Sequence, residues 1–247
     1  MRSVSAYKAR PLSARSVLLS ILLGFHPPEL PVSTLVRIGE LFGIGEGAIR
    51  VALVRMVADG DVEWSNKSYR LTGPLLDRQR RMDEACAPRT KAWRGNWEMA
   101  VVTSAARPLA DRVALRRTMA ENRLAELREG VWLRPANLVR SRPAITVEQC
   151  TSFTTRLEDE DPVALARSLW KLDELAAEAQ RLHDEIVRGP DLVEGLLVGA
   201  QSFHHLQQDP VLPPELLPAD WPGVKLRERL AEFVVSYSRS LREYGQE

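Results

Sequence analysis

The sequence is poor in cysteine. Only Cys86 and Cys150 occur among its 247 residues, so neither a disulfide framework nor a zinc site can be assembled from thiolates. Long apolar runs are also missing. The longest, Val17 to Phe25, is too short to span a bilayer and Ser20 interrupts it. Phe25-His26-Pro27-Pro28 follows it in place of a small-residue cleavage site, which argues against a secretory leader. The expectation is a cytoplasmic protein with no membrane partner. Enzyme signatures are absent too: there is no Gly-x-Ser-x-Gly elbow, no Walker loop and no His pair at metal-binding helical spacing. No catalytic residue, metal or cofactor is expected. Lysine is scarce, 5 against 29 arginines, and arginine is the cation that best forks phosphates and guanine edges.

What is present describes a folded protein, with 27% charged and 45% apolar residues. The net charge of +1 hides an asymmetry. Residues 1–150 carry 24 basic and 15 acidic side chains (+9), whereas 151–247 carry 10 and 18 (−8). The basic excess is itself divided, with +5 over 1–92 and +4 over 93–150. A chain of this length has room for two or three domains.

The first ninety residues are the most legible. Helical spacing over 13–24 places Val17, Leu18, Ile21 and Leu22 inward and stops at Gly24 and Pro27-Pro28. A second helix is expected with Ser33 as N-cap and Leu35, Ile38, Leu41 and Phe42 inward, ending at Gly43. A third opens at Gly45 or Glu46, packs Ile49, Leu53, Met56 and Val57, and closes at Gly60. Helix, tight glycine-containing turn, helix is the spacing of a helix-turn-helix. Next, Asp61–Trp64 and Tyr69–Thr72 alternate apolar and polar residues around Ser65-Asn66-Lys67-Ser68. This predicts a hairpin with Val62, Trp64, Tyr69 and Leu71 inward and Lys67 at its tip, which makes the unit a winged helix. Gly43-x-Gly45-x-x-Ala48 also fits a dinucleotide-binding pattern, but no strand precedes it, so a cofactor reading fails.

A helix that enters the major groove needs a narrow leading face with a few forked donors. Opposite Ile49 lie Gly47, Val51, Val54 and Ala58, with Arg50 and Arg55 on either side. The DNA-contact candidates are Glu46, Gly47, Arg50, Val51, Val54 and Arg55, joined by Lys67 and Arg70 of the hairpin. Leu75, Leu76, Met82 and Cys86 continue on a fourth helix that exposes Arg78, Arg80 and Arg81, candidates for phosphate or dimer contacts.

The pattern changes after Pro88. Strands are expected at Glu98–Thr103, Gly130–Pro135, Ala144–Val147 and Thr151–Thr155, with one helix from about Pro108 to Leu127. One helix within four strands suggests an α+β domain over 93–157. The rest reads as helical. Leu165, Leu169, Leu172, Leu175, Ala179, Leu182 and Ile186 form one apolar stripe, Gly189-Pro190 breaks it, and further helices follow at 191–207 and 224–244. Glu158–Asp161 is expected to cap the stripe's helix. His204-His205 diverge by 100° on a helix, so a shared metal is not expected.

The order of motifs resembles the PaaX-type repressors of phenylacetate degradation. The similarity runs through Gly43–Gly60, Tyr69-Arg70-Leu71-Thr72 and Gly95-x-Trp97. It continues through Gly130-Val131-Trp132-Leu133-Arg134-Pro135-Ala136-Asn137-Leu138 and the segment from Asp209-Pro210 to Trp221-Pro222-Gly223. The resemblance implies an α+β chain with an N-terminal winged helix-turn-helix, a middle ferredoxin-like domain and a C-terminal helical domain, here 1–92, 93–157 and 158–247. It also implies a homodimeric repressor on double-stranded operator DNA, released by a small-molecule effector of aromatic catabolism. The best-known members respond to phenylacetyl-CoA.

A CoA-thioester effector needs arginine donors beside aromatic surface, and Arg116, Trp132, Arg134 and Asn137 are the candidates. The middle domain is similar to small CRISPR-associated nucleases that use an Asp at the end of their first strand. Val101-Val102-Thr103-Ser104 offers no carboxylate there. A metal-dependent enzyme on that domain and a protein-interaction adaptor using the leucine stripe are the rival readings.

Overall fold

A computed structural model describes residues 12–104 and 108–246. The chain is α+β, with two small antiparallel sheets among its helices. By contact it gathers into two units, one of Met1–Asp83, Glu185–Gln201 and Arg229–Glu247, the other of Glu84–Asp184 and Ser202–Glu228. The 158–247 stretch therefore contributes to both. No helix among the described residues is long and apolar enough to cross a membrane.

In the first unit α1 (Ala14–Gly24) is capped by Ser13, whose hydroxyl accepts from the Ser16 amide. α2 (Val32–Leu41) and α3 (Glu46–Ala58) follow. Ser33 is not the N-cap of α2. A strand that the sequence pattern did not reveal, β1 (Glu29–Pro31), runs straight into the helix, and the Val32 amide donates to Lys67 O at 3.1 Å. The first of the helix's amides therefore has a partner in the hairpin, and Pro31 at the N-cap position supplies no side-chain acceptor.

Val17, Leu18, Leu35, Ile38, Ile49, Leu53 and Met56 are fully buried at the centre of this unit. The tightest approach is between α2 and α3. A Cβ added to Gly39 would lie 2.5 Å from Ile49 Cδ1 and 2.8 Å from Cγ1. Gly43, at φ +72°, turns the chain between the two helices.

β2 (Val62–Ser65) and β3 (Ser68–Leu71) form a hairpin, and β1 pairs on the far side of β3, giving the order β1-β3-β2. Asn66 and Lys67 have φ +50° and +62°, the signature of a two-residue type I′ turn whose twist suits flanking strands. Val62 and Leu71 are buried as expected, but Trp64 is 48% exposed. Alternation put it on the correct face. Yet the Trp64–Tyr69 pair stands beyond the core, and the two rings meet tilted at 51° with centroids 4.6 Å apart. α4 (Gly73–Cys86) follows, and its buried Gln79 donates to the carbonyls of Leu23 and Phe25 at 2.9 Å. This satisfies acceptors at the end of α1 that would otherwise be orphaned.

In the second unit the order is β4 (Asn96–Val102), α5 (Leu109–Glu121), β5 (Ala125–Arg128), β6 (Val131–Pro135), α6 (Ala144–Gln149) and β7 (Cys150–Arg156). The sheet order is β5-β6-β4-β7, antiparallel throughout. Two expectations fail here. The helical pattern of 108–127 predicts one continuous helix, but Asn122 ends α5, Arg123 takes φ +62°, and 125–128 pair with β6 as a strand. Ala144–Val147, expected as a strand, instead lies in the six-residue helix α6 (Ala144–Gln149) after Pro143. Proline at the N-cap presets the helix entry, which outweighs the β preference of Ile145 and Val147.

Alternation sorts the sheet's two faces. Trp97 and Leu133 join Leu165, Ala166, Leu172, Leu212 and Leu216 on one side. Ala100 and Trp132 meet Leu115, Met119 and Leu124 on the other. The leucine stripe is two helices, α7 (Pro162–Leu169) and α8 (Leu172–Arg188). Trp170 leaves the helix in an extended conformation and packs on the Trp97 cluster, so the break lets an aromatic residue reach a core that a continuous helix would keep from it. Asp161 does cap α7 through the Val163 amide. α9 (Leu192–Gln208) and α10 (Gly223–Tyr244) complete the chain. Within the first unit, Gly195 lets these two approach closely, where Tyr237 donates its hydroxyl to Leu192 O at 2.6 Å.

Gly39→Ala tests the α2–α3 crossing. Overpacking against Ile49 costs about 1–3 kcal/mol, more than the roughly 1 kcal/mol alanine gains in helix propensity. The expected result is a lower melting temperature, partly restored when Ile49→Val removes the clashing Cδ1. An unchanged melting temperature for Gly39→Ala overturns the assignment.

Candidate nucleic-acid interface

The packing of α3 fixes what it presents. Ile49, Leu53 and Met56 are wholly buried, so the opposite side must face solvent. Gly47, Val51, Val54 and Ala58 are exposed there, with Arg50 and Arg55 on its flanks. The face is therefore small and apolar between two cations. Arg50 is not a loose side chain. Its Nε donates to Glu46 Oε1 at 2.7 Å, an i,i+4 pair across the first turn of the helix. Glu46 thereby holds the guanidinium toward the leading end of α3, and its carboxylate also suits the positive N-terminus of the helix.

The hairpin candidates differ from each other. Lys67 is exposed at the tip of the turn. Arg70 faces Glu63 directly across the ladder and Glu29 on its other side. Its Nε donates to Glu63 Oε1 at 2.7 Å, and this bonded carboxylate raises its pKa above the ordinary value. Part of its positive charge is already matched within the sheet. The pairing was readable once Trp64↔Tyr69 set the register, because Glu63 and Arg70 then fall opposite each other.

The four effector candidates separate into two pairs. Trp132 and Arg116 border a cavity of about 310 Å3 on the second unit, with Val102, Leu109, Val113 and Arg112 among its other walls. Arg116 stands 6.0 Å above the Trp132 ring and pairs with Glu126 at 3.0 Å. Leu109 and Val113 are 73% and 60% exposed at the mouth. Arg112, Glu126 and Glu129 also line this cavity and were not picked out by sequence. Nothing in the helical pattern of 108–127 distinguished Arg112 from its neighbours, and Glu126 lay in a segment expected to be helix.

Arg134 and Asn137 lie elsewhere. Arg134 is fully buried, donates to Asn137 Oδ1 at 2.9 Å and to Pro135 O at 3.0 Å, and reaches Pro210 O at 3.5 Å. Asn137 in turn donates to Val211 O at 2.9 Å. Burial lowers the Arg134 pKa to about 9, so it stays charged at pH 7. These two residues are a clamp on the 209–211 backbone, with no donor turned toward the Trp132 cavity.

The clamped turn is itself braced. Asp209, 1% exposed, accepts from the Val211 amide at 2.7 Å, and its Oδ2 lies 2.7 Å from Arg227 Nη2. Arg123 donates to the carbonyls of Leu206 and Asp209, and burial lowers its pKa to about 10. Val211 takes φ +51° inside this net of bonds. The neighbouring histidines do not converge: His204 bonds Gln208 at 2.9 Å on the surface, while His205 is buried, which depresses its pKa. No three His, Cys, Asp or Glu side chains among the described residues are grouped to hold a metal.

A family model described as PaaX-like protein matches residues 13–75, from α1 to the start of α4. Among solved structures, the chain is similar to "Uncharacterized protein Rv0674 from Mycobacterium tuberculosis". The identity is 44%, covering 95% of this chain and 99% of that one, with a TM-score of 0.81. No curated protein matches the chain.

Asn137→Ala checks the structural role of the clamp. It leaves Val211 O and one Arg134 donor without partners in a buried place, a loss of about 2–4 kcal/mol. Urea denaturation is expected to show the midpoint falling accordingly. A midpoint equal to wild type would falsify the assignment.

Proposed function

Because the chain belongs to the PaaX-like protein family, we propose that it is a homodimeric DNA-binding transcriptional repressor of the cytoplasm, released from its operator by a small-molecule effector. The observation that carries this reading is the exposed face of α3, bracketed by Arg50 and Arg55 and accompanied by a hairpin with Lys67 at its tip. The order of helices α1 to α3 and the β1-β3-β2 sheet supports a winged-helix reading of residues 1–92. The β-α-β-β-α-β order of the second unit, with strand order β5-β6-β4-β7, supports a ferredoxin-like reading of 93–157.

In this reading α3 enters the major groove. Arg50, aimed by Glu46, reads a base edge near the leading end of the helix, and Arg55 meets a phosphate. Lys67 reaches backbone or minor groove. Arg70, oriented by Glu63 across the hairpin, reaches backbone or minor groove beside Lys67. A two-fold dimer sets its recognition helices about 34 Å apart or at a multiple of that.

The test is a gel-shift titration on the upstream region of the protein's own gene. Arg50→Ala is expected to weaken specific binding by roughly 1–3 kcal/mol, with non-specific binding little changed. Unaltered specific affinity removes Arg50 from the site.

The cavity beside Trp132 supports a location for the effector. About 310 Å3 suits the acyl or aryl end of a thioester against Val102, Leu109 and Trp132. Arg112 and Arg116 at its rim suit the phosphates of CoA. Calorimetry with a panel of acyl- and aryl-CoA thioesters is expected to give binding heat for at least one, and Arg116→Ala to reduce it. Absence of heat across the panel overturns this effector class.

A further inference from the structure

The outward stripe of α3 is costly for a helix left in water. Val51 and Val54 are 51% and 65% exposed, and β-branched side chains lose rotamer freedom in a helix while their apolar surface stays wet. Gly47, one turn earlier on the same stripe, is a poorer helix former still. Packing among the described residues gives no reason for it, because a Cβ added there would meet none of them within 4 Å. Gly39, by contrast, is glycine because Ile49 lies against it. Gly47, Val51 and Val54 thus forgo helix propensity for little packing return among the described residues, which points to contact with a group outside them.

The flanks say what kind of group. Arg50 and Arg55 lie on opposite sides of the stripe, so the surface runs cation, apolar strip, cation. The major groove presents the complementary order, with phosphates on both rims and base edges between them. Glycine, valine and alanine carry no side-chain donor or acceptor, so the strip cannot read hydrogen-bonding edges. The apolar feature of a base edge in this groove is the C5-methyl of thymine.

We propose that Val51 and Val54 determine specificity by packing on thymine methyl groups of each half-site, with Gly47 admitting close approach of the DNA at the leading end. This rests on the DNA-binding reading above and names what that face recognises. Arg50, held by Glu46 one turn along, then reads a neighbouring pair, so a half-site joins a thymine-containing step to a base that Arg50 can fork.

The experiment uses the full chain. Duplexes retained from a random pool define the bound sequence, and single thymidines in it are then replaced by deoxyuridine. Deoxyuridine pairs with adenine in the same way and lacks only the major-groove methyl. A loss of about fourfold per methyl, the value of one buried methylene-sized group, is expected at one or two thymines of each half-site. In Val51→Ala or Val54→Ala that penalty disappears at the matching position. Gly47→Ala is expected to weaken binding to the selected sequence while the melting temperature holds or rises.

All three substitutions lie at exposed positions and raise helix propensity, so folding is preserved. Equal binding of thymidine and deoxyuridine duplexes overturns the methyl reading and leaves the repressor assignment standing. So does a penalty that persists unchanged in both valine variants. Failure to retain any sequence from the pool overturns the repressor assignment as well.

Discussion

Ile49 resting against the bare Cα of Gly39 is the contact on which the presentation of α3 depends. It brings α2 and α3 closer than any side chain at 39 would allow, and with Leu53 and Met56 it fixes the rotation of α3 about its own axis. Once that rotation is set, Gly47, Val51, Val54 and Ala58 have only one direction in which to point. A helix with mean burial spread evenly round its surface would carry no such instruction. Here three wholly buried residues define the inner line, and every candidate contact on the helix follows from it.

Charge is arranged more economically than the count of arginines suggests. Of the cations on α3 and the hairpin, Arg50 is held by Glu46 and Arg70 by Glu63. Pairing of this kind orients a guanidinium and lowers its free charge together, so it favours geometry over bulk attraction. In the second unit arginine takes a different part. Half-buried Arg123 donates to the carbonyls of Leu206 and Asp209, and buried Arg134 divides its donors among Pro135 O, Asn137 Oδ1 and Pro210 O, so planar cations satisfy acceptors of an irregular segment that no ladder could reach. Arg134 and Asn137 of one segment and Pro210 and Val211 of another meet in this clamp.

Which parts of the molecule were readable in sequence follows from how local their causes are. The three N-terminal helices, the β2–β3 hairpin and the exposed α3 face were legible, since each rests on periodicity, a glycine turn or a short cross-strand pattern. The Glu46–Arg50 pair was implicit in its i,i+4 spacing. β1 was not legible, because three residues beside a Pro-Pro step become a strand only when β3 is there to pair with them. Ala144–Gln149 misled for the converse reason, its β-branched residues outvoted by the proline that starts the helix.

The amino-acid sequence by itself determined the helix faces, the turn chemistry and the uneven charge, because these depend on residues within a few positions of one another. Tertiary structure decided which polar side chains remain available. Arg134 and Asn137 carry the same donors as any surface pair, yet they are consumed by carbonyls more than seventy residues away. Arg116 and Trp132 border an open cavity instead. Trp64, placed on the inward face by alternation, emerged at the surface because the core ends one residue pair short of it. Availability depends on what the rest of the chain brings within hydrogen-bonding or van der Waals reach, and that distance is set in space, where separation along the chain has no bearing.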